Sequence, residues 1–130
     1  MINFSKTQAP DIITEAEVID IFNQNEDKFF AVQKFAASLD VNLYVDIFDK
    51  SIDINEQSFS KEVVYIIKNL NFVGIYSDKD NGLTSFVIKS GSKEQGILFI
   101  ESNTTPELSP STGLSYKIID HWYYYEHYHV

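Results

Sequence analysis

Two histidines, His127 and His129, lie two residues apart in an aromatic-rich part of the sequence. On a β-strand this spacing places both side chains on one face, and His121 shares their parity. Imidazole nitrogens bind divalent transition metals, so these residues are a candidate metal site. No carboxylate ligand is assigned beside them, however, and the same pattern is typical of a polar segment. We therefore predict no metal site and no cofactor.

Two of the histidines have a carboxylate neighbour, because Asp120 precedes His121 and Glu126 precedes His127. A histidine beside a carboxylate can transfer protons. Neighbours in a strand point to opposite faces, so neither pair can act together. The sequence also lacks a Gly-x-Ser-x-Gly elbow, a phosphate-binding loop ending in Gly-Lys-Ser/Thr, and any cysteine nucleophile. We therefore predict that the chain is not an enzyme.

An acidic stretch with apolar residues between its carboxylates runs through the middle of the chain. This pattern can mimic the charge of a polyphosphate and block the basic cleft of a partner protein. It is also typical of a solvated loop. The carboxylates that we predict to contact a partner are Asp46, Asp49, Asp53 and Glu56.

Aromatic residues are dense between positions 122 and 128. By strand parity Trp122 and Tyr124 share one face, which is the better candidate for the core. The opposite face is aromatic but polar, and we expect it to reach solvent. Tyrosine is enriched at protein interfaces, although it is also a good strand former. The residues of this face that we predict to contact a partner are Tyr123, Tyr125 and His127.

Two helical regions must position these residues. Thr14 and Glu17 match a capping box, and apolar residues follow at helical spacing as far as Leu39. This pattern predicts one long helix or two short ones over residues 14–39. Ser60 is a candidate N-cap for a second helical region over residues 60–70, which has a wide apolar face.

The second half of the chain changes to the period of strands. Asp80–Gly82 and Ser90–Gly96 are turn signals, and residues 41–57 are expected to form a short strand or extended segment followed by a loop. The predicted class is α+β, with N-terminal helices packed on an antiparallel β-meander of about four to five strands. The predicted strands are 72–76, 83–89, 97–101 and a long strand over 114–128.

The composition narrows the functional classes. The 130 residues predict a single globular domain over 1–130, and the absence of cysteine excludes disulfides. Ten lysines oppose nineteen carboxylates, the net charge is −9 and there is no arginine, so we expect no binding to nucleic acid. Neither a secretory signal nor an apolar run long enough to span a membrane is present, which predicts a cytoplasmic protein that does not bind membranes.

The segment from Gly113 to His127, GLSYKIIDHWYYYEH, is similar in character to the aromatic-rich tails of several immunity proteins of bacterial polymorphic and contact-dependent toxin systems. Their small size, acidity and order of helices before an antiparallel sheet also resemble this chain. The resemblance implies tight binding to one toxin domain, often a nuclease with a basic cleft. Two alternatives remain open: a structural or adaptor domain that acts through self-association, and a small metal-dependent or ligand-binding enzyme.

Overall fold

Helices cover one face of an antiparallel β-sheet. The computed structural model describes residues 13–55, 58–102 and 113–128. These residues form three α-helices and a six-stranded antiparallel sheet. The predicted α+β class, with N-terminal helices before an antiparallel sheet, is confirmed. The number of strands is higher than the four to five that we predicted.

The predicted helical region near the N-terminus consists of two helices, α1 (Glu15–Gln24) and α2 (Glu26–Ser38). Thr14 caps α1 through the predicted capping box, since its side chain accepts a hydrogen bond from the Glu17 backbone and the Glu17 carboxylate accepts one from the Thr14 backbone. The chain leaves helical geometry at Asn25, where φ is −135°. The short amide side chain of Asn25 donates to the Ile21 carbonyl oxygen at 2.8 Å, which satisfies one carbonyl at the end of α1.

The third helix and the strands complete the fold. Ser60 caps α3 (Lys61–Lys68) by accepting a hydrogen bond from the Val63 backbone, as the sequence predicts. A 3₁₀-helix, Lys79–Asn81, and Gly82 in the left-handed conformation join the second and third strands. The strands are β1 (Tyr44–Asp46), β2 (Gly74–Asp78), β3 (Leu83–Lys89), β4 (Lys93–Ile100), β5 (Gly113–Ile119) and β6 (Trp122–Tyr128).

The sheet order is β1-β2-β3-β4-β6-β5, so β1 and β5 lie at its two edges. The prediction of one long strand over 114–128 is wrong, because the chain reverses at Asp120 and His121. His121 has a φ of 75°, and β6 then inserts between β4 and β5. The predicted turn over 90–96 is also shorter than expected, since β4 already begins at Lys93.

Aromatic rings dominate the core between the helices and the sheet. Phe22 of α1 lies 5.1 Å from Trp122 between ring centroids, and Phe29 of α2 lies 5.0 Å from Phe86. This packing fixes the helical layer on the central strands, because burial of large aromatic side chains is strongly favourable. Within the described ranges, no helix has the length and apolar character needed to cross a membrane.

Candidate protein-binding surface

The loop that follows β1 is shaped by its three aspartates. Each carboxylate accepts a hydrogen bond from the backbone N–H two residues further along the chain, which is an Asx turn. These bonds join Asp46 to Phe48 at 2.8 Å, Asp49 to Ser51 at 2.9 Å and Asp53 to Asn55 at 2.9 Å. The aspartates therefore hold the loop in one conformation and at the same time keep their negative charges at the surface.

Among the three aspartates, Asp49 accepts the largest number of hydrogen bonds. Besides the backbone bond, its carboxylate accepts hydrogen bonds from the Ser51 hydroxyl at 2.7 Å and from the Tyr44 hydroxyl at 3.1 Å. The bonds from the side chain and the backbone of Ser51, with a smaller one from Tyr44, lower the pKa of the Asp49 carboxyl below its ordinary value. Asp49 is therefore a fixed negative charge at neutral pH.

Large apolar side chains are exposed beside these carboxylates. Phe48 is 68% exposed, Ile47 is 49% exposed and Tyr44 is 46% exposed. Single exposed apolar residues are common on soluble proteins, but neighbouring ones set among charges are typical of interaction sites. We call this surface the acidic edge and define it by Tyr44, Asp46, Ile47, Phe48, Asp49 and Asp53.

Two tyrosines support the acidic edge from the side of the sheet that faces away from the helices. The rings of Tyr44 and Tyr76 lie 5.6 Å apart across β1 and β2, and the Tyr76 hydroxyl donates to Asp46 at 3.0 Å. Burial, and then the hydrogen bond to Asp46, raises the pKa of Tyr76 well above its ordinary value. Tyr76 thus remains a neutral hydrogen-bond donor to Asp46.

Two glycines make room for tyrosine rings on the same face of the sheet. A Cβ atom at Gly74 would overlap the ring of Tyr76, and a Cβ atom at Gly96 would meet the Phe86 carbonyl oxygen and the ring of Tyr125. The Tyr125 hydroxyl donates to the Glu94 carboxylate. Burial, and then the charge of Glu94, raises the pKa of Tyr125. The rings of Tyr76 and Tyr125 thus lie against Gly74 and Gly96. Their hydroxyl groups form hydrogen bonds with carboxylates on neighbouring strands.

Three of the predicted contact residues lie at the end of β1 and on the loop that follows it. Asp46, Asp49 and Asp53 all lie on the acidic edge, with Asp53 exposed and the other two half-buried. Glu56 lies outside the described residues. That the three aspartates contact a partner stays a prediction.

The expectation that Tyr123 and Tyr125 reach solvent is wrong, since they are only 2% and 7% exposed. β6 is an inner strand, so neighbours on both sides cover its side chains. Tyr123, for example, lies between Leu98 of β4 and Lys117 of β5. Both tyrosines are therefore part of the interior, and neither offers a contact surface. His127 is half-buried on β6, opposite Glu94 of β4.

The histidines do not share one strand. His121 lies in the turn between β5 and β6, where its Nδ1 atom is 2.9 Å from the Ile100 carbonyl oxygen, whereas His127 lies near the far end of β6. His129 lies outside the described residues. Within the described ranges, no group of three or more histidine, aspartate and glutamate side chains is placed to hold a metal ion.

Sequence reasoning missed the apolar part of the acidic edge. The alternating pattern over residues 41–48 predicts one face with Val41, Leu43, Val45 and Ile47, but only Leu43 and Val45 are buried. The adjacent pair Ile47–Phe48 breaks this alternation, which is the signal that could have indicated a surface pair. The hydrogen bond from Tyr76 to Asp46 depends on the pairing of β1 with β2. No local sequence pattern indicates this pairing.

The geometry of the acidic edge suits binding. It combines carboxylates with exposed apolar side chains on a loop held by hydrogen bonds. Comparisons of the chain with known protein families, with curated proteins and with solved structures found no match.

Proposed function

We propose that this chain is an acidic protein-binding module, and that the acidic edge is its contact surface. The observation that carries the proposal is the exposure of Ile47 and Phe48 between the aspartates of the three Asx turns. Protein interfaces combine a few apolar or aromatic anchors with a polar rim that excludes water. The acidic edge supplies both parts within one short segment.

The hydrogen bonds of the loop reduce the entropic cost of binding. A loop that is already held in one conformation loses little freedom when a partner covers it. The Asx turns at Asp46 and Asp49 flank Phe48, so its backbone is ordered before contact. Phe48 then acts as an anchor that enters an apolar depression on the partner.

The charge indicates the chemistry of the partner. The chain carries a net charge of −9 and no arginine, and residues 44–55 contain three aspartates and one lysine. A negative surface accelerates association with a positively charged protein and disfavours association with an acidic one. The partner that fits the acidic edge is therefore a basic protein surface.

The finer proposal is that the partner is a bacterial toxin domain, most simply a nuclease, whose basic cleft the acidic edge blocks. The resemblance to immunity proteins supports this choice. So does the chemistry of the edge, because a cleft that binds nucleic acid presents the lysines and arginines that its carboxylates would pair with. In this role the chain needs no catalytic group and no cofactor.

The experiment is co-expression with the C-terminal region of the protein encoded immediately upstream. We expect that region alone to stop growth, and that co-expression of this chain restores growth and yields a complex that copurifies. Complex formation should weaken as salt rises, because screening reduces charge steering. A harmless upstream region, or a complex whose formation does not depend on salt, would count against the toxin proposal and favour an adaptor role.

Two triple variants test the charge itself. The first changes Asp46, Asp49 and Asp53 to asparagine, which can still accept the backbone hydrogen bond of an Asx turn. The matched control removes three exposed aspartates elsewhere on the fold, here called the remote aspartates: Asp20, Asp27 and Asp80. Both variants change the net charge from −9 to −6. Only the first should slow association strongly if the acidic edge is the contact surface.

A further inference from the structure

A cleft lies between α2 and the end of the sheet where β2 turns into β3. It has a volume of about 220 Å³, which suits a small ligand rather than a drug-sized one. Gln33, Ala36 and Ala37 form its helical wall, because residues three and four apart share one face of a helix. The short alanine side chains do not reach the sheet, so space remains between the two layers.

Three cross-strand neighbours form the floor of the cleft. Ser77 of β2 lies opposite Thr84 of β3, and Thr84 lies opposite Phe99 of β4. Residues that lie directly opposite each other in an antiparallel sheet have side chains on the same face. The floor therefore carries two hydroxyl groups beside one aromatic ring.

The Thr84 hydroxyl has unused hydrogen-bonding capacity. Thr84 is 4% exposed, yet within residues 13–55, 58–102 and 113–128 no group forms a hydrogen bond with its Oγ1 atom. Ser77 is 9% exposed, and its hydroxyl oxygen accepts the Leu43 N–H at 2.6 Å. A buried hydroxyl without a partner is costly, and nearly all buried polar groups have one. The free Thr84 hydroxyl therefore indicates that a molecule in the cleft completes its hydrogen bonding.

Two carboxylates line the cleft together with this floor. Asp78 accepts a hydrogen bond from the Asn81 side-chain amide at 2.8 Å. The Glu101 carboxylate lies against Gly82, where an added Cβ atom would be 2.9 Å from Oε1. In the described part of the chain, neither carboxylate forms an ion pair. Both are thus available to a positively charged ligand.

Lys79 also lines the cleft, but its ammonium group is bound to the end of α2. Its Nζ atom donates to the Ala37 carbonyl oxygen at 3.0 Å and to the Leu39 carbonyl oxygen. Carbonyl groups at the end of a helix lack partners within the helix and attract a cation. Lys79 therefore serves the helix end and leaves the two carboxylates of the cleft unpaired.

We propose that this cleft binds a primary ammonium group. Carboxylates pair most strongly with N–H donors that carry a positive charge. An ammonium group has three such donors on one compact atom, which matches three separate acceptors in Asp78, Glu101 and Thr84. The group belongs to a free small amine or to a lysine side chain of another protein. The cleft shares no residue with the acidic edge, so its test does not depend on the toxin proposal.

Nuclear magnetic resonance titration of the full chain tests the site with three probes: n-butylammonium, n-butanol and a blocked pentapeptide with a central lysine. We expect n-butylammonium to shift the backbone amide signals of Ala36, Gly82 and Thr84, and n-butanol to bind about ten-fold more weakly. Binding of the pentapeptide at least as tight as that of n-butylammonium would identify a lysine side chain as the ligand, and weaker binding would identify a free amine. Equal binding of n-butanol and n-butylammonium, or no shift with either ammonium probe, would overturn the proposal.

Two variants and one control connect the binding to the named groups. Thr84→Val keeps the shape of the side chain without its hydroxyl, and Glu101→Gln removes one carboxylate. Each should raise the Kd for n-butylammonium about five-fold. Asp80→Asn is the control, because Asp80 is exposed beside the cleft and its loss also changes the net charge from −9 to −8. Its Kd should match that of the natural chain, and equal effects of Glu101→Gln and Asp80→Asn would overturn the proposal.

The stability of Thr84→Val distinguishes a ligand-binding role of Thr84 from a structural one. Because no described group bonds to the Thr84 hydroxyl, the urea midpoint of this variant should equal or exceed that of the natural chain. A lower midpoint together with an unchanged Kd would show that the hydroxyl serves the fold alone, and would overturn the proposal.

Discussion

Replacement of Phe48 by alanine separates a binding role from a structural one. Phe48 is 68% exposed in the free chain. A fully enclosed phenylalanine side chain buries roughly 200 Å², so about 130 Å² is left for a partner to cover. At about 25 cal/mol per Å² this area is worth roughly 3 kcal/mol. Because alanine retains the Cβ, we expect a loss of about 2 kcal/mol, or roughly thirty-fold in Kd.

The stability of the chain should change little in the same variant. Most of the Phe48 side chain already faces water, so the free energy of unfolding should fall by less than about 1 kcal/mol. Urea denaturation measures this change, and isothermal titration calorimetry with the partner domain identified by co-expression measures the Kd.

Phe30→Ala is the matched control for this prediction. Phe30 is 36% exposed, but its ring stacks on Trp122 with 5.4 Å between centroids. Its loss should lower the free energy of unfolding by about 2 kcal/mol and leave the Kd unchanged. An unchanged Kd for Phe48→Ala, or an equal loss of affinity for the two variants, would refute the assignment of Phe48 as an anchor.

Three further predictions concern the charge, the close packing and the tyrosines of the sheet. At low salt, asparagine at the three aspartates of the acidic edge should reduce the rate of association with the partner about ten-fold, whereas the remote-aspartate control should reduce it much less. Stopped-flow mixing measures both rates. Equal association rates for the two variants would contradict the proposal. Gly96→Ala should lower the free energy of unfolding by about 1–3 kcal/mol, because the added Cβ would overlap the Phe86 carbonyl oxygen. Urea denaturation measures this change. An unchanged urea midpoint would contradict the close packing of β3 against β4 at this position. Because its pKa is raised, Tyr125 stays neutral in the folded chain above pH 10, where the tyrosines of the unfolded chain ionise. Its contribution to the free energy of unfolding is therefore complete below about pH 10 and declines as the pH rises further. Tyr125→Phe should lose part of that decline in denaturation series between pH 8 and pH 11, and identical pH profiles would contradict the burial of this hydroxyl.

Local signals explain why the helices could be predicted from the sequence. The capping box at Thr14 and Glu17 and the N-cap at Ser60 involve residues within one turn of each other. Strand β3 was also predicted with its observed bounds, because Gly82 marks its beginning with a positive φ that favours glycine. Such rules depend only on neighbours in the chain.

The arrangement of β5 and β6 depends on contacts between distant residues, which no local pattern contains. The turn between them has neither glycine nor proline, and His121 adopts its φ of 75° where its backbone and its ring both lie against Ile100. The burial of Tyr123 and Tyr125 follows from the position of β6 between two strands. Strand parity alone could not show which face is covered.

The acidic edge was predictable only in part, for the same reason. The negative charge of Asp46, Asp49 and Asp53 is visible in the sequence, and the structure places all three on one loop. The exposure of Ile47 and Phe48 depends on where β1 ends. β1 ends at Asp46, whose side chain accepts the Phe48 N–H in the turn that follows the strand.

Growth rescue by an edge variant tests the central claim most directly. The region encoded immediately upstream, which we propose to be a toxin, would be co-expressed either with the natural chain or with a chain that combines Phe48→Ala with asparagine at the three aspartates of the acidic edge. The account predicts full rescue by the natural chain and none by the variant, at equal soluble levels of both. Rescue by the variant that equals rescue by the natural chain would contradict the claim that the acidic edge binds the partner.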